Sequence, residues 1–270
     1  MFDNSYLVVI RGAGDIATGI AYRLYNSSFK IVMIETDNPS VIRRKVSFAE
    51  TVYEKNHKVE GLESKLVSDI DEINECFNKG IVPVLIDPEC SKINEINPDV
   101  VVDAILAKKN LGTNKNMADI VIGVGPGFEA GEDVDAVVET KRGHRLGRVI
   151  LKGRPESNTG VPGNIEGYTE ERVLRGNKNG KIKVLKDIGS FVKKNDVVAE
   201  IEGSQVKAKI DGVVRGMIRD GYKVTVGMKI GDIDPRGKVE YCYEISDKAR
   251  AIGGGVLEAI LHISNRKKYI

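Results

Sequence analysis

The residues with the most chemical capacity lie where apolar runs end. Leu7-Val8-Val9-Ile10 leads into Arg11-Gly12-Ala13-Gly14-Asp15-Ile16-Ala17. A short apolar run followed by alternate glycines can turn backbone N–H groups toward a phosphate at the start of a helix. Gly12 permits the tight turn, Gly14 lets a pyrophosphate approach the backbone, and Ala17 lets the helix pack closely. Glu35 closes the next apolar run, about 20 residues beyond Gly14, where an acid accepts hydrogen bonds from ribose hydroxyls and repels a 2′-phosphate. The candidate cofactor-binding residues are therefore Arg11, Gly12, Ala13, Gly14, Asp15, Ile16, Ala17 and Glu35.

Acid–base candidates come later in the chain. Asp103 ends Val100-Val101-Val102 and precedes Lys108 and Lys109. A carboxylate near amines can position a hydroxyl, or move a proton if burial raises its pKa. His144 titrates near neutrality and stands among Lys141, Arg142, Arg145, Arg148, Lys152 and Arg154, a basic stretch suited to phosphate. Asp103, Lys108 and His144 are the catalytic candidates. The competing reading has Asp103 capping a turn, with the lysines and histidine solvated. Arg43, Arg44 and Lys45 either reach a ligand's phosphates or form a solvated run. Glu129, Glu132, Asp133, Asp135 and Glu139 offer oxygens to a divalent cation but lack EF-hand spacing, so no metal site is expected. Cys76, Cys90 and Cys242 form no CxxC pair and read as small buried hydrophobes in a reducing compartment.

The elements that would position these groups alternate. Ile16, Ala17, Ile20, Ala21 and Leu24 make one apolar helix face, and Lys30 to Ile34 is a second strand. Asn38-Pro39 suits a helix start. Ser68 and Asp71 suggest a capping box for a helix that Gly80 ends. Strands follow at 81–86, 99–104 and 118–124, the last running into the Gly123–Gly127 turn. Alternation of strands and helices predicts an α/β chain with an N-terminal Rossmann-like, doubly wound parallel sheet over 1–152. Asp87, Asp103 and the glycine turn would share the strands' carboxyl ends, where ligands lie. Residues 153–167 read as a substrate loop or a linker, within a 153–179 connection. Residues 180–236 carry short strands and glycine turns similar to the barrel-sandwich of biotinyl and lipoyl domains. The tip Glu202-Gly203-Ser204-Gln205 has no lysine, so no covalent biotin or lipoate is expected. Residues 237–270 form a strand and a helix packing back on the first domain. That helix carries Gly253-Gly254-Gly255, and Lys248 and Arg250 in its first turn suit an anion or a packing partner.

The chain has 270 residues, 41% hydrophobic and 30% charged, with net charge +2. That balance makes no electrostatic case for nucleic acid or a membrane surface. Asp3 and the short first apolar run argue against a signal peptide. No apolar run approaches the roughly 18 residues of a membrane helix, and a cytoplasmic protein is expected.

Four stretches together carry a family resemblance: Arg11 to Gly19, Asn158 to Gly163, Lys229 to Arg236 (Lys-Ile-Gly-Asp-Ile-Asp-Pro-Arg) and Ile245 to Ala259. The chain resembles the YqeB family, accessory proteins of selenium-dependent molybdenum hydroxylase systems. The resemblance implies a role in maturation or insertion of the molybdenum cofactor. The glycine turn and Glu35 point to NAD or another dinucleotide as ligand, and the expected partners are a molybdenum hydroxylase or other maturation proteins. The resemblance supplies no catalytic residues. The alternatives are an NAD-dependent oxidoreductase using Asp103, Lys108 or His144, and a non-catalytic scaffold that docks a partner enzyme.

Overall fold

The computed structural model describes residues 6–267, so the expectation placed on Asp3 lies outside the described residues. The chain divides into two compact units: residues 1–39, 47–158 and 245–270 form the first, and 40–46 with 159–244 the second.

The first unit is built on the apolar runs. β1 (Leu7–Arg11) leads through the glycine turn into α1 (Asp15–Tyr25), followed by β2 (Lys30–Glu35) and the one-turn α2 (Thr51–Glu54). Next come β3 (Asn56–Val59), β4 (Leu62–Val67), α3 (Ile70–Lys79), β5 (Val82–Ile86), the short α4 (Ile93–Ile96) and β6 (Val100–Asp103). β7 (Ile120–Val124), β8 (Ala136–Val138) and β9 (Val149–Ile150) complete the sheet, in the order β3-β4-β5-β2-β1-β6-β7-β8-β9. Val8, Val9 and Ile10 are all fully buried, as expected of a strand covered on both faces. On one face Val9, Val32, Leu85 and Val101 pack with Ile73 and Cys76 of α3 and with Ile93 and Ile96 of α4.

The expected doubly wound parallel sheet is corrected here. The sheet is mixed: pairings from β4 through β8 are parallel, but β3 lies antiparallel on β4 and β9 antiparallel on β8. The β3–β4 hairpin turns on Glu60 (φ 47°) and Gly61 (φ 88°), a left-handed pair of the kind that closes two-residue hairpins. Nor do helices bridge every crossover. Between β6 and β7 there is only a 3₁₀ turn, Lys115–Met117. Part of the cover on the sheet comes instead from α5 (Asp247–Lys267), which packs on α1 and on β7 to β9.

Two local expectations also change. No helix starts at Asn38-Pro39; a 3₁₀ turn at Arg44–Val46 is the first helical piece after β2. The cap of α3 is Asp69, which accepts from Glu72 N–H at 2.9 Å, while the Glu72 carboxylate accepts from Ser68 N–H at 2.7 Å. The box is formed one residue later than Ser68/Asp71 implied, and Gly80 closes the helix at φ 68°.

The second unit is not a clear biotinyl-type barrel. It has two four-stranded antiparallel sheets. One orders β10 (Val173–Arg175), β17 (Lys229–Asp234), β15 (Gly212–Met217) and β12 (Phe191–Val192). The other orders β14 (Ser204–Lys207), β13 (Val197–Ile201), β11 (Gly180–Val184) and β16 (Lys223–Val224). They enclose one core that includes Leu174, Ile182, Val198, Ile201, Val213, Ile230 and Ile233. Its first strand precedes residue 180, and residues 40–46 complete it from far back in the sequence. Arg43 Nη2 donates to Tyr241 O at 3.1 Å and Glu244 O at 3.0 Å, and Arg44 donates to Met217 O at 2.8 Å and Asp187 Oδ1 at 2.5 Å.

Candidate functional site

Parallel registry brings the chemical residues of the first unit to one end of the sheet. Arg11 pairs with Ile34 on one side and Asp103 on the other, Glu35 with Ile86, and Asp103 with Gly123. The chain fills the β2–β5 side of β1 first and the β6–β7 side afterwards, so its direction of winding reverses at the β1–β6 boundary. In open α/β sheets ligands bind at that reversal.

The glycine turn sits there. Gly12 takes φ +92°, and its N–H donates to Ile34 O at 2.7 Å. A Cβ on Gly12 would stand 3.1 Å from Ala104 O and from Ile105 Cα, so this glycine serves close packing against the loop after β6. Gly14 caps α1 in extended conformation (φ −64°, ψ 178°), with no side-chain cap bond. Gly14 itself therefore offers no side chain to the first-turn N–H groups, in keeping with a phosphate site. Ala13 is buried and fixed from both sides. Its N–H donates to Glu35 Oε2 at 2.9 Å, and its carbonyl accepts from Ala49 N–H at 2.8 Å and Ser47 Oγ at 2.9 Å. Thr36 N–H occupies Glu35 Oε1 at 2.8 Å. Each Glu35 oxygen keeps a lone pair, and the side chain is half-buried rather than sealed. Asp15 adds a negative charge to the first turn, and Ile16 and Ala17 are buried beneath it.

Arg11 and Asp103 do something else. Both are buried, and Arg11 Nη1 donates to Asp103 Oδ2 at 3.4 Å and to the Thr113 hydroxyl. Thr113 Oγ1 in turn donates to Asp103 Oδ2 at 2.5 Å, and Arg11 Nη2 donates to Leu111 O at 3.3 Å. Together they hold the 104–113 loop over the strand ends. Asn110 brackets the same turn, accepting from Thr113 N–H and donating to its carbonyl, each at 2.8 Å. Thr113 was not among the sequence candidates, although Asn110-Leu-Gly-Thr113 carries the Asx-turn signal that would have found it. Lys108 is exposed at φ 64° and is not a partner of Asp103; His144 is exposed on the 141–148 turn.

The other motifs resolve into structure. Asp87 accepts from Ser91 N–H and Oγ and from Lys92 N–H; burial alone would raise its pKa, and these bonds bring it below the ordinary value. A Cβ on Gly123, Gly125 or Gly127 would meet Phe128, Thr140 or the Lys109 backbone, so this turn is a packing device. Glu139 accepts from the N–H groups of Lys141 and Glu156. Among the basic stretch, Lys141 pairs with Glu156 at 2.6 Å, Arg142 with Asp247 at 2.6 Å and Arg154 with Glu129 at 2.7 Å. Arg43 and Arg44 are buried and clip the second unit rather than forming a solvated run, and they belong to that unit, not to the one holding the Glu35 carboxylate that the sequence placed them beside. All three cysteines are buried and unbridged, and burial pushes their thiols up. Among the described residues no group of three or more His, Cys, Asp or Glu is gathered as a metal would need. No described helix is long and apolar enough to cross a membrane.

These features define an α/β protein with an uncapped, glycine-led helix start where a mixed sheet reverses its winding, joined to a unit of two antiparallel sheets. No protein-family model matches the chain. Its sequence is 50% identical over 260 residues to "Uncharacterized protein YqeB" of Escherichia coli K12. That identity covers 96% of this chain and supports its membership of the YqeB family; the chain spans 48% of the length of that relative. Solved structures are similar only weakly. The product-bound ectoine utilization protein EutE (DoeB) of Ruegeria pomeroyi is 10% identical with a TM-score of 0.25, covering 77% of this chain and 58% of its own. An aspartoacylase family protein of Mesorhizobium loti is 10% identical with a TM-score of 0.28, covering 86% of this chain and 85% of its own. Likeness at that level assigns neither fold nor chemistry.

Proposed function

We propose that the first unit binds a nucleotide or dinucleotide, NAD among the candidates, with its phosphates at the start of α1 and its ribose at Glu35. We place the chain as an accessory protein in maturation or insertion of the molybdenum cofactor of a selenium-dependent molybdenum hydroxylase. The observation that carries the binding reading is the uncapped N-terminus at Gly14, set at the winding reversal beside a half-buried carboxylate. The residues fit such a ligand. Gly14 has no Cβ to stand between an oxygen atom and the backbone, and Glu35 is already oriented by the N–H groups of Ala13 and Thr36. The accessory role rests on the resemblance carried by Arg11 to Gly19, Asn158 to Gly163, Lys229 to Arg236 and Ile245 to Ala259; the YqeB relative is itself described as uncharacterized. A dehydrogenase has less support, because Asp103 is spent on Arg11 and Thr113 while Lys108 and His144 are exposed.

Calorimetric titration of the full chain with NAD, NADP, ATP, CTP and a molybdopterin dinucleotide tests the reading. Saturable binding should appear for one or more and vanish in Gly14→Val. Gly14 has an extended backbone that any residue adopts, so the variant should keep the wild-type unfolding temperature. If folded wild type binds none of them, the nucleotide reading fails and the docking scaffold takes its place.

A further inference from the structure

The second unit holds a charge arrangement that the nucleotide reading does not use. Asp232 pairs with Arg172, and both are buried. Asp234 is sealed from solvent and is taken by Arg236, which donates to it through Nε at 2.9 Å and Nη2 at 2.6 Å. Arg236 also stacks on the Tyr241 ring at 4.5 Å. That leaves Arg215. Only 9% of it is exposed. Its Nε makes a long hydrogen bond to Tyr241 O, 3.4 Å, and lies 3.6 Å from the already engaged Asp234. Among the described residues, neither of its η nitrogens has a hydrogen-bond partner. The carbonyl that takes its Nε also takes Nη2 of Arg43 at 3.1 Å, so two guanidinium groups converge on one peptide oxygen. Burial and the neighbouring Arg43 charge both lower the Arg215 pKa.

Backbone irregularity puts Arg215 there. In the β15–β17 ladder Val214 pairs with Ile233 and Gly216 with Asp232, leaving Arg215 as the extra residue of a bulge. Bulges re-aim side chains and cluster next to functional sites. A buried cation is expensive unless it is paired. The charges of Asp232 and Asp234 both favour the cation, but Asp232 is paired with Arg172 and Asp234 with Arg236, and among the described residues neither supplies a hydrogen-bond acceptor to the Arg215 η nitrogens.

We infer that Arg215, with Arg43 beside it, forms a binding site for a small oxyanion, inorganic phosphate or a phosphate monoester, within the second unit. The planar fork of Arg215 presents two Nη groups in the geometry that bidentate oxyanion recognition uses. This site is separate from the turn at Gly14.

The test titrates inorganic phosphate, and CMP as a phosphate monoester, into the full chain carrying Gly14→Val, which silences the first-unit site. Binding is read by calorimetry and by phosphorus NMR. Saturable binding is expected, weakened about tenfold or more in Arg215→Gln. Arg215→Lys keeps the charge but loses the fork; if the Gln variant does not fold, a similar weakening in the Lys variant carries the result. Phosphate binding alone assigns a free anion, and tighter binding of CMP assigns an esterified one. Absence of saturable binding to the folded protein overturns the inference, as does unchanged affinity in both Arg215 variants. The first-unit reading is decided independently, by nucleotide titration of a chain with Gly14 intact and Arg215→Gln.

Discussion

Arg11 and Asp103 face each other across adjoining parallel strands, and their side chains carry the 104–113 loop between them. Deleting one member of a buried ion pair strands the other charge. Asp103→Ala should therefore cost about 3–5 kcal/mol in urea unfolding. Asp103→Asn should cost less, because its amide oxygen still accepts from Thr113. A loss near zero for Asp103→Ala would show that the pair does not hold the loop. Glu35 has the opposite character, since it is half-buried and its carboxylate accepts only backbone N–H groups, those of Ala13 and Thr36. Glu35→Ala should weaken a ribose-bearing ligand by about tenfold, the value of one charge-assisted hydrogen bond, and lower the melting temperature modestly, because the buried Ala13 N–H loses its acceptor. Equal affinity for wild type and variant would put the ribose elsewhere.

Among the elements, α5 shows what three consecutive glycines are for. Gly253 approaches α1, where a Cβ would meet Gly19 O at 2.9 Å. Gly255 faces the 141–148 turn, where a Cβ would come within 2.1 Å of Gly147 O. A Cβ on Gly254 would meet nothing. Gly254→Ala should therefore stabilise the protein by roughly 1 kcal/mol through helix propensity, while Gly255→Ala should destabilise it despite the same propensity gain. Thermal melts of the two variants separate these outcomes, and a matching shift in both would refute the close approach. The first turn of α5 needs no anion either. Ser246 Oγ accepts from Ala249 N–H at 3.1 Å, and Arg250 is held by both Glu60 oxygens at 2.7 Å.

Local signals were legible where local sequence decides the outcome. The strand runs, the glycine turn, Gly80 and Ser246 all read directly from residue type. The parallel alternation did not reveal the antiparallel edges, because strand direction follows from turn geometry and long-range pairing. The burial of Arg43 and Arg44 was illegible for a similar reason: their partners, Asp187, Met217, Tyr241 and Glu244, lie far along the chain. In the candidate site, Gly14 and Glu35 were visible as types at a spacing. That Asp103 would be consumed by Arg11 depends on strand order, which no single motif encodes.

At the scale of the whole molecule, depressed carboxylates set the response to acid. Burial acts to raise the Asp234 pKa, but the hydrogen bonds and charge of Arg236 outweigh it, and the group titrates below its ordinary 3.8. Asp87 is lowered in the same way by Ser91 and Lys92. A folded-state pKa below the unfolded one gives stability that is complete above the unfolded value and is lost as pH falls through the folded value. Denaturant unfolding should thus show a falling midpoint from about pH 4 downward, and Asp234→Asn should flatten that fall. A midpoint independent of pH in that range would contradict the Asp234–Arg236 assignment.

The interleaving of the two units has a consequence for synthesis. The first unit is interrupted between Asn158 and Ile245, and α5, which covers part of its sheet, is translated only after the whole second unit. Residues 40–46 are made early, so the second unit has every segment it needs once Glu244 leaves the ribosome. The order of completion along the nascent chain is therefore the reverse of the order in which the units begin. Until α5 emerges, the apolar faces of α1 and β7 to β8 lack their cover, and that interval is when the chain is most exposed to aggregation.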